Sequence, residues 1–151
     1  MKTHIFKTQI IMFITMFFVG VMFNPMNILA YNFSHLYLSL TLFYGGLLMA
    51  SNMMWAHEIV HYFSMGYFNI YIFLLGLLLS ISISILLLRS QLFIDETQWL
   101  RRMISHHSTA LTTTHKIYSK TKDKQIKQLA QNIISTQEKE IQIMKSMLLI
   151  N

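Results

Sequence analysis

Apolar positions along the chain run in three long blocks and then change rhythm. Ile5 to Phe23, Leu36 to about Trp55, and Phe68 to Leu88 are each almost continuously apolar. Each is near the ~20 residues that carry a helix across a bilayer. After Arg89 the blocks give way to spacings of three and four. Leu100, Met103/Ile104, His107, Leu111, Thr114 and Tyr118 share one helical face, and Ile126, Leu129, Ile133, Gln137, Ile141, Met144 and Leu148 share another. The pattern predicts an all-α protein. Residues 1–91 form a three-span membrane region (about 5–23, 36–55 and 68–88), and residues 92–151 form an antiparallel helical hairpin.

Local signals set the ends of the hairpin. Asp95 can cap its first helix, with Gln98 completing a capping-box-like pair. Thr121-Lys122-Asp123 suits a short connection, and Asp123 can cap the second helix. Helices so joined fold back on one another. A turn centred near Thr121 sets His106 and His107 opposite Ile134 to Gln137, with Met103 near Glu140. One hairpin has one buried seam, so a second copy is expected to close a four-helix bundle. In the first region, Pro25 suits an interfacial turn because it lacks a backbone donor.

Composition sharpens the division. The chain is 54% hydrophobic and 12% charged, with mean hydropathy +0.45. Before Arg89 the only charged side chains are Lys2, Lys7 and Glu58; the other ten Lys/Arg and five acids follow. The lipid bilayer is therefore the expected partner of the first region, and water of the second. The net charge of +6 is interleaved with acids on helix faces, which reads as a solvated surface and not a nucleic-acid site. Lys2 and Lys7 also resemble the start of a signal peptide, but no small-x-small cleavage pattern follows, so a retained helix is expected. The same lysines favour a cytoplasmic N-terminus. Three spans then put the hairpin on the extracytoplasmic side of an inner or plasma membrane, although Arg89, Arg101 and Arg102 argue the other way.

Candidate chemistry is limited by the absence of Cys. A soft-metal site has to use Met and His. His106-His107, one turn after Met103, is one candidate. Neighbours on a helix point about 100° apart, so one can ligate while the other supports it; a polar seam is the plain alternative. His115 reads as surface. Met49, Met53, His57 and His61 recur every fourth residue, and a thioether–imidazole stripe suits Cu(I), against simple packing of adaptable methionines. His57-Glu58-Ile59-Val60-His61 is also an H-E-x-x-H, the pattern that holds Zn on one helical face with the Glu as general base. No third ligand motif follows it.

The tail residues carry a resemblance. Asp95, Trp99-Leu100, Met103-Ile104-Ser105-His106-His107 and Ala110, followed by Leu129-Ala130, Ile133-Ile134, Gln137, Glu140-Ile141, Met144 and Leu148, resemble the two signatures of the domain of unknown function 305 family. LLMASNMM at 47–54 resembles its membrane-anchored members, although the loop from His57 to Tyr67 lacks their Lys and Arg. The resemblance implies a ferritin-like helical bundle and, from some members, copper binding through Met103, His106, His107, Gln137, Glu140 and Met144. Ser105 stands where the family usually has Pro. Longer relatives carry the M-x-x-H-H unit twice and this chain once, which implies pairing of copies. The expected function is thus a membrane-anchored, non-enzymatic copper-binding protein, with Met53, His57 and His61 as further metal candidates. An intramembrane zinc metalloprotease at His57, Glu58 and His61 and a metal-free interaction module are the alternatives.

Overall fold

The computed structural model describes residues 2–150, with side chains from Phe6 to Ile150; the Lys2 side chain used in the orientation argument lies outside the described residues. No strand forms among them. Helix α1 is Lys2–Met22, α2 a single turn at Pro25–Ile28, α3 Leu40–Met65, α4 Ile70–Ser82, α5 Glu96–Lys120 and α6 Lys124–Ile150. A 3-10 turn occupies Phe33–His35, and α4 runs on as a π-helix over Ile83–Arg89. The chain divides into two compact units, Met1–Phe23 with Leu40–Phe93, and Asn24–Ser39 with Ile94–Asn151.

In the first unit α3 packs antiparallel to α1 and to α4. Glycines set both approaches. A Cβ on Gly20 would lie 3.0 Å from the Gly46 Cα, and one on Gly46 would lie 2.6 Å from Val21 Cγ2. One on Gly76 would meet the Met54 Cβ at 2.8 Å and the Trp55 backbone nitrogen at 2.9 Å. Gly46, Ala50, Ser51, Gly76 and Ser80 are buried, while Ile10, Ile14, Phe18, Leu74, Leu78 and Ile81 point outward. Ser51 and Ser80 return their hydroxyls to Leu47 and Gly76 carbonyls one turn back, which satisfies them inside an apolar layer.

The expected count of three spans is corrected. Two stretches, Phe6–Ile28 and Ile70–Arg89, are long and apolar enough to cross a membrane. The middle helix is long enough, but Tyr44, Asn52, His57, Glu58 and His61 dilute its hydropathy. It also begins later and ends later than expected, so the whole H-E-x-x-H lies inside it. Pro25 opens a helical turn instead of a simple bend. It occupies the first turn of α2, where its missing N–H costs nothing, and the Asn24 side chain accepts from Met26 and Asn27 N–H.

The second unit is built on the α5–α6 hairpin. Asp95 accepts from Gln98 N–H at 2.7 Å, and Asp123 accepts from Gln125 and Ile126 N–H at 2.7 and 3.1 Å. The core holds Leu100, Ile104, Leu111, Ile134, Ile141 and Met144. On α6 the seam runs through Ala130 and Ile134, one residue later than the expected stripe, and leaves Ile126 and Leu129 exposed. Residues 24–39 join this unit against one flank of α5. Ser108 Oγ accepts from Tyr31 N–H at 2.8 Å and contacts His35 Nδ1 at 3.0 Å, and Ser105 Oγ donates to the His35 carbonyl at 3.0 Å. Part of the hairpin surface that was expected to await a second copy is thus covered by the chain itself.

Candidate functional site

The seam between α5 and α6 opens into a groove of about 330 Å³ lined by Trp99, Leu100, Met103, His107, Glu140, Ile143, Met144 and Met147. The imidazole of His107 is held at both nitrogens. Nδ1 lies 2.8 Å from the Met103 carbonyl, which can only accept, so Nδ1 carries the hydrogen. Nε2 faces Glu140, 2.8 Å from Oε2; an ionised carboxylate oxygen also only accepts, so this contact needs a hydrogen of its own. A backbone carbonyl that fixes one ring nitrogen while the other faces a site is the arrangement that orients metal-binding histidines. Gln137 supports Glu140 from outside the groove at 3.5 Å.

The pairing lies about one turn from the level set by a symmetric hairpin. Helical side chains lean toward their own N-terminus. His107 therefore leans away from the turn and Glu140 toward it, and the two meet. His106, one residue on, is exposed and meets the His107 ring only edge-on at 6.0 Å.

A second polar cluster lies in the first unit. Glu58 is 2% exposed. Its Oε2 accepts the Asn69 N–H at 2.9 Å and its Oε1 accepts from Gln9 Nε2 at 3.2 Å, tying α3 to the start of α4 and to α1. The same Gln9 nitrogen donates to His57 Nδ1 at 3.2 Å. His57 and His61 stack 5.6 Å apart, as their spacing of four requires. Gln9 Oε1 and His61 Nδ1 are buried without a partner. Both carboxylate oxygens of Glu58 thus join helices. Among the described residues no three His, Asp or Glu side chains come together as a metal-binding group. The thioethers of Met103, Met144 and Met147 line the hairpin groove beside His107 and Glu140.

Residues 91–148 match the family model described as Domain of unknown function (DUF305). The chain is also 37% identical over 145 residues to "Uncharacterized protein L153" of Acanthamoeba polyphaga mimivirus, covering 94% of this chain and 92% of that one. The chain belongs to the DUF305 family. No solved structure matches it.

Within the DUF305 hairpin, four residues implied by the resemblance, Met103, His107, Glu140 and Met144, line one groove; His106 and Gln137 do not. Met147 and Trp99 line it as well. Met147 could have been found from its place three residues after Met144 on the same face of α6. His115, read as surface, is half-buried and stacks on Tyr31 with ring centroids 4.9 Å apart. Ser105, at the family's usual Pro position, uses its hydroxyl to hold the His35 carbonyl. His35, beside Lys145, has its pKa lowered, first by burial and then by the lysine charge. Met53, on α3, is four residues before His57, but its sulfur has no described part in the Gln9–Glu58 cluster.

Proposed function

We propose that this DUF305 protein is a membrane-anchored metal-binding protein that holds a soft ion, copper as Cu(I), in the α5–α6 groove. The observation that carries the reading is the convergence of Met103, Met144 and Met147 on the same groove as a His107 whose Nε2 is aimed and whose Nδ1 is pinned. Thioether and imidazole donors match a soft monovalent ion, and the chain has no thiolate to compete. His107 Nε2 would exchange its contact with Glu140 for the ion, and Glu140 would remain beside it. The bound ion supplies charge and soft-donor affinity. The chain supplies orientation and an apolar rim.

Membrane anchoring draws support from the first unit. Only 11% and 17% of its two apolar windows are buried, unlike the core helices of a water-soluble fold. Small residues at the contacts and large apolar ones outside are what lipid-embedded helices use, since lipid gives no hydrophobic drive between them. Helix α3 packs against both apolar helices and keeps Glu58 and Gln9 shielded between neighbours. Lys7 at the start of α1 then favours a cytoplasmic N-terminus. The exposed Trp99, Ile143 and Met147 are suited to pairing with a second hairpin.

Titration of Cu(I) into the detergent-solubilised full chain against a competing chelator tests the reading. Stoichiometric binding that is lost in Met103→Leu/Met144→Leu supports it. Equal affinity in that variant, or no binding at all, overturns the groove as the site.

A further inference from the structure

A second concavity of the hairpin unit lies apart from the metal groove. It has a volume of about 510 Å³ and is lined by Leu36, Tyr37, Leu38, Thr97, Arg101, Lys145, Leu148 and Leu149. Three segments build it: the extended stretch after the 3-10 turn, the first turns of α5, and the last turns of α6.

Its chemistry is divided. Arg101 and Lys145 are half-buried cations. The described carboxylates within 4.0 Å of a basic side chain are Glu58, beside His57, and Glu140, beside His107, so neither cation meets a described carboxylate. Lys145 is nevertheless positioned, donating from Nζ to Ser34 Oγ at 2.9 Å. Burial, and after it the charge of Lys145, opposes protonation of the neighbouring His35. The rim is apolar: Leu38 is 72% exposed and Leu149 is 89% exposed.

Two unpaired cations beside exposed leucines call for a ligand that is an anion at one end and a hydrocarbon at the other. We propose that this concavity binds an anionic phospholipid, with the phosphate between Arg101 and Lys145 and an acyl chain along Leu36, Leu38, Leu148 and Leu149. Arg presents a planar fork that matches phosphate oxygens, and Lys adds a point charge. A lysine already held by Ser34 loses less side-chain entropy on binding. The choice of a lipid over a free anion rests on the membrane reading above; the copper reading plays no part in it.

The test is titration of fluorescent phosphatidylglycerol into the detergent-solubilised full chain, competed by phosphatidylglycerol, phosphatidylcholine or inorganic phosphate. Carbonate extraction of membranes checks anchoring separately, so failure of the site and failure of the membrane reading are told apart. Phosphatidylglycerol should compete and phosphatidylcholine should not. R101Q/K145Q should weaken binding by about thirtyfold, the effect of two cations at an anionic lipid surface. L38S/L149S should weaken it while circular dichroism stays native. K116Q/K139Q, which changes exposed cations elsewhere on the unit, should leave it unchanged. Equal competition by phosphatidylcholine, equal loss in K116Q/K139Q, or competition by inorganic phosphate as strong as by the lipid would each overturn the proposal.

Discussion

His107 Nε2 and Glu140 Oε2 sit 2.8 Å apart across the α5–α6 seam, while His106, the adjacent residue, faces solvent. The two histidines of one motif therefore have separable roles. His107→Ala should lower Cu(I) affinity at least about tenfold, a loss of ~1.4 kcal/mol. His106→Ala should leave affinity within about threefold, because an exposed imidazole edge-on to the site contributes little. Parallel chelator-competition titrations of the two single variants decide it. Equal losses would show that both rings ligate.

The hairpin was legible because its signals are periodic and local. Asp95 and Asp123 announce the starts of α5 and α6, and the three-and-four spacing of Leu100, Ile104, His107 and Leu111 predicts the buried face. The first half of the α6 seam, Ala130 and Ile134, lies one residue later than the stripe through Leu129 and Ile133, while Ile141 and Met144 are buried where the spacing puts them. Residues 24–39 gave no such signal. They join the hairpin unit through hydrogen bonds to Ser105, Ser108, Thr109 and Lys145, which no periodicity announces. In the sequence alone helix α3 resembles an ordinary span, because its polar residues look like interruptions until Gln9 and Asn69 are brought to Glu58.

Glycine spacing in α3 gives a contrast within one dipeptide. A Cβ at Gly46 would strike Val21 Cγ2 and approach the Phe17 carbonyl, whereas one at Gly45 meets nothing within 4 Å. Gly46→Val should therefore destabilise the first unit by about 1–3 kcal/mol through overpacking. Gly45→Ala should be neutral or stabilise α3 by about 0.5–1 kcal/mol through helix propensity. Thermal melts in detergent, followed by circular dichroism, measure both. Similar melts for the two variants would mean that α1 and α3 do not pack at Gly46.

Glu58 offers a test of structural against catalytic use. Glu58→Ala leaves the Asn69 N–H and the Gln9 amide without their acceptor, and should cost about 1–3 kcal/mol. Glu58→Gln should be milder. Gln9 can turn its amide so that Oε1, which has no partner now, accepts from the new side chain. Denaturant midpoints of the two variants should rank in that order. A Glu58→Gln protein with native stability that has lost a zinc-dependent hydrolytic activity present in the parent would favour the protease reading instead.

His35 gives the fold a pH dependence of definite sign. Burial, and then the charge of Lys145, hold its pKa below 6.5, near the value the unfolded chain keeps. Above that unfolded value both states are neutral at this residue and it contributes no pH dependence. As pH falls through the unfolded value, the unfolded chain takes up a proton more readily than the folded one. Stability therefore declines with falling pH in the window between the two values, and the loss levels off below the folded value. His35→Asn removes the titration but keeps a side-chain group able to bond Ser108. Urea midpoints of the full chain in detergent, measured for parent and variant from pH 7.5 to 5.0, isolate the effect, because every other histidine is common to both. The parent should lose stability faster than His35→Asn as the solution is acidified, so the difference between them shifts toward the variant. Parallel profiles would show that the charge on Lys145 and the burial of the ring do not reach His35.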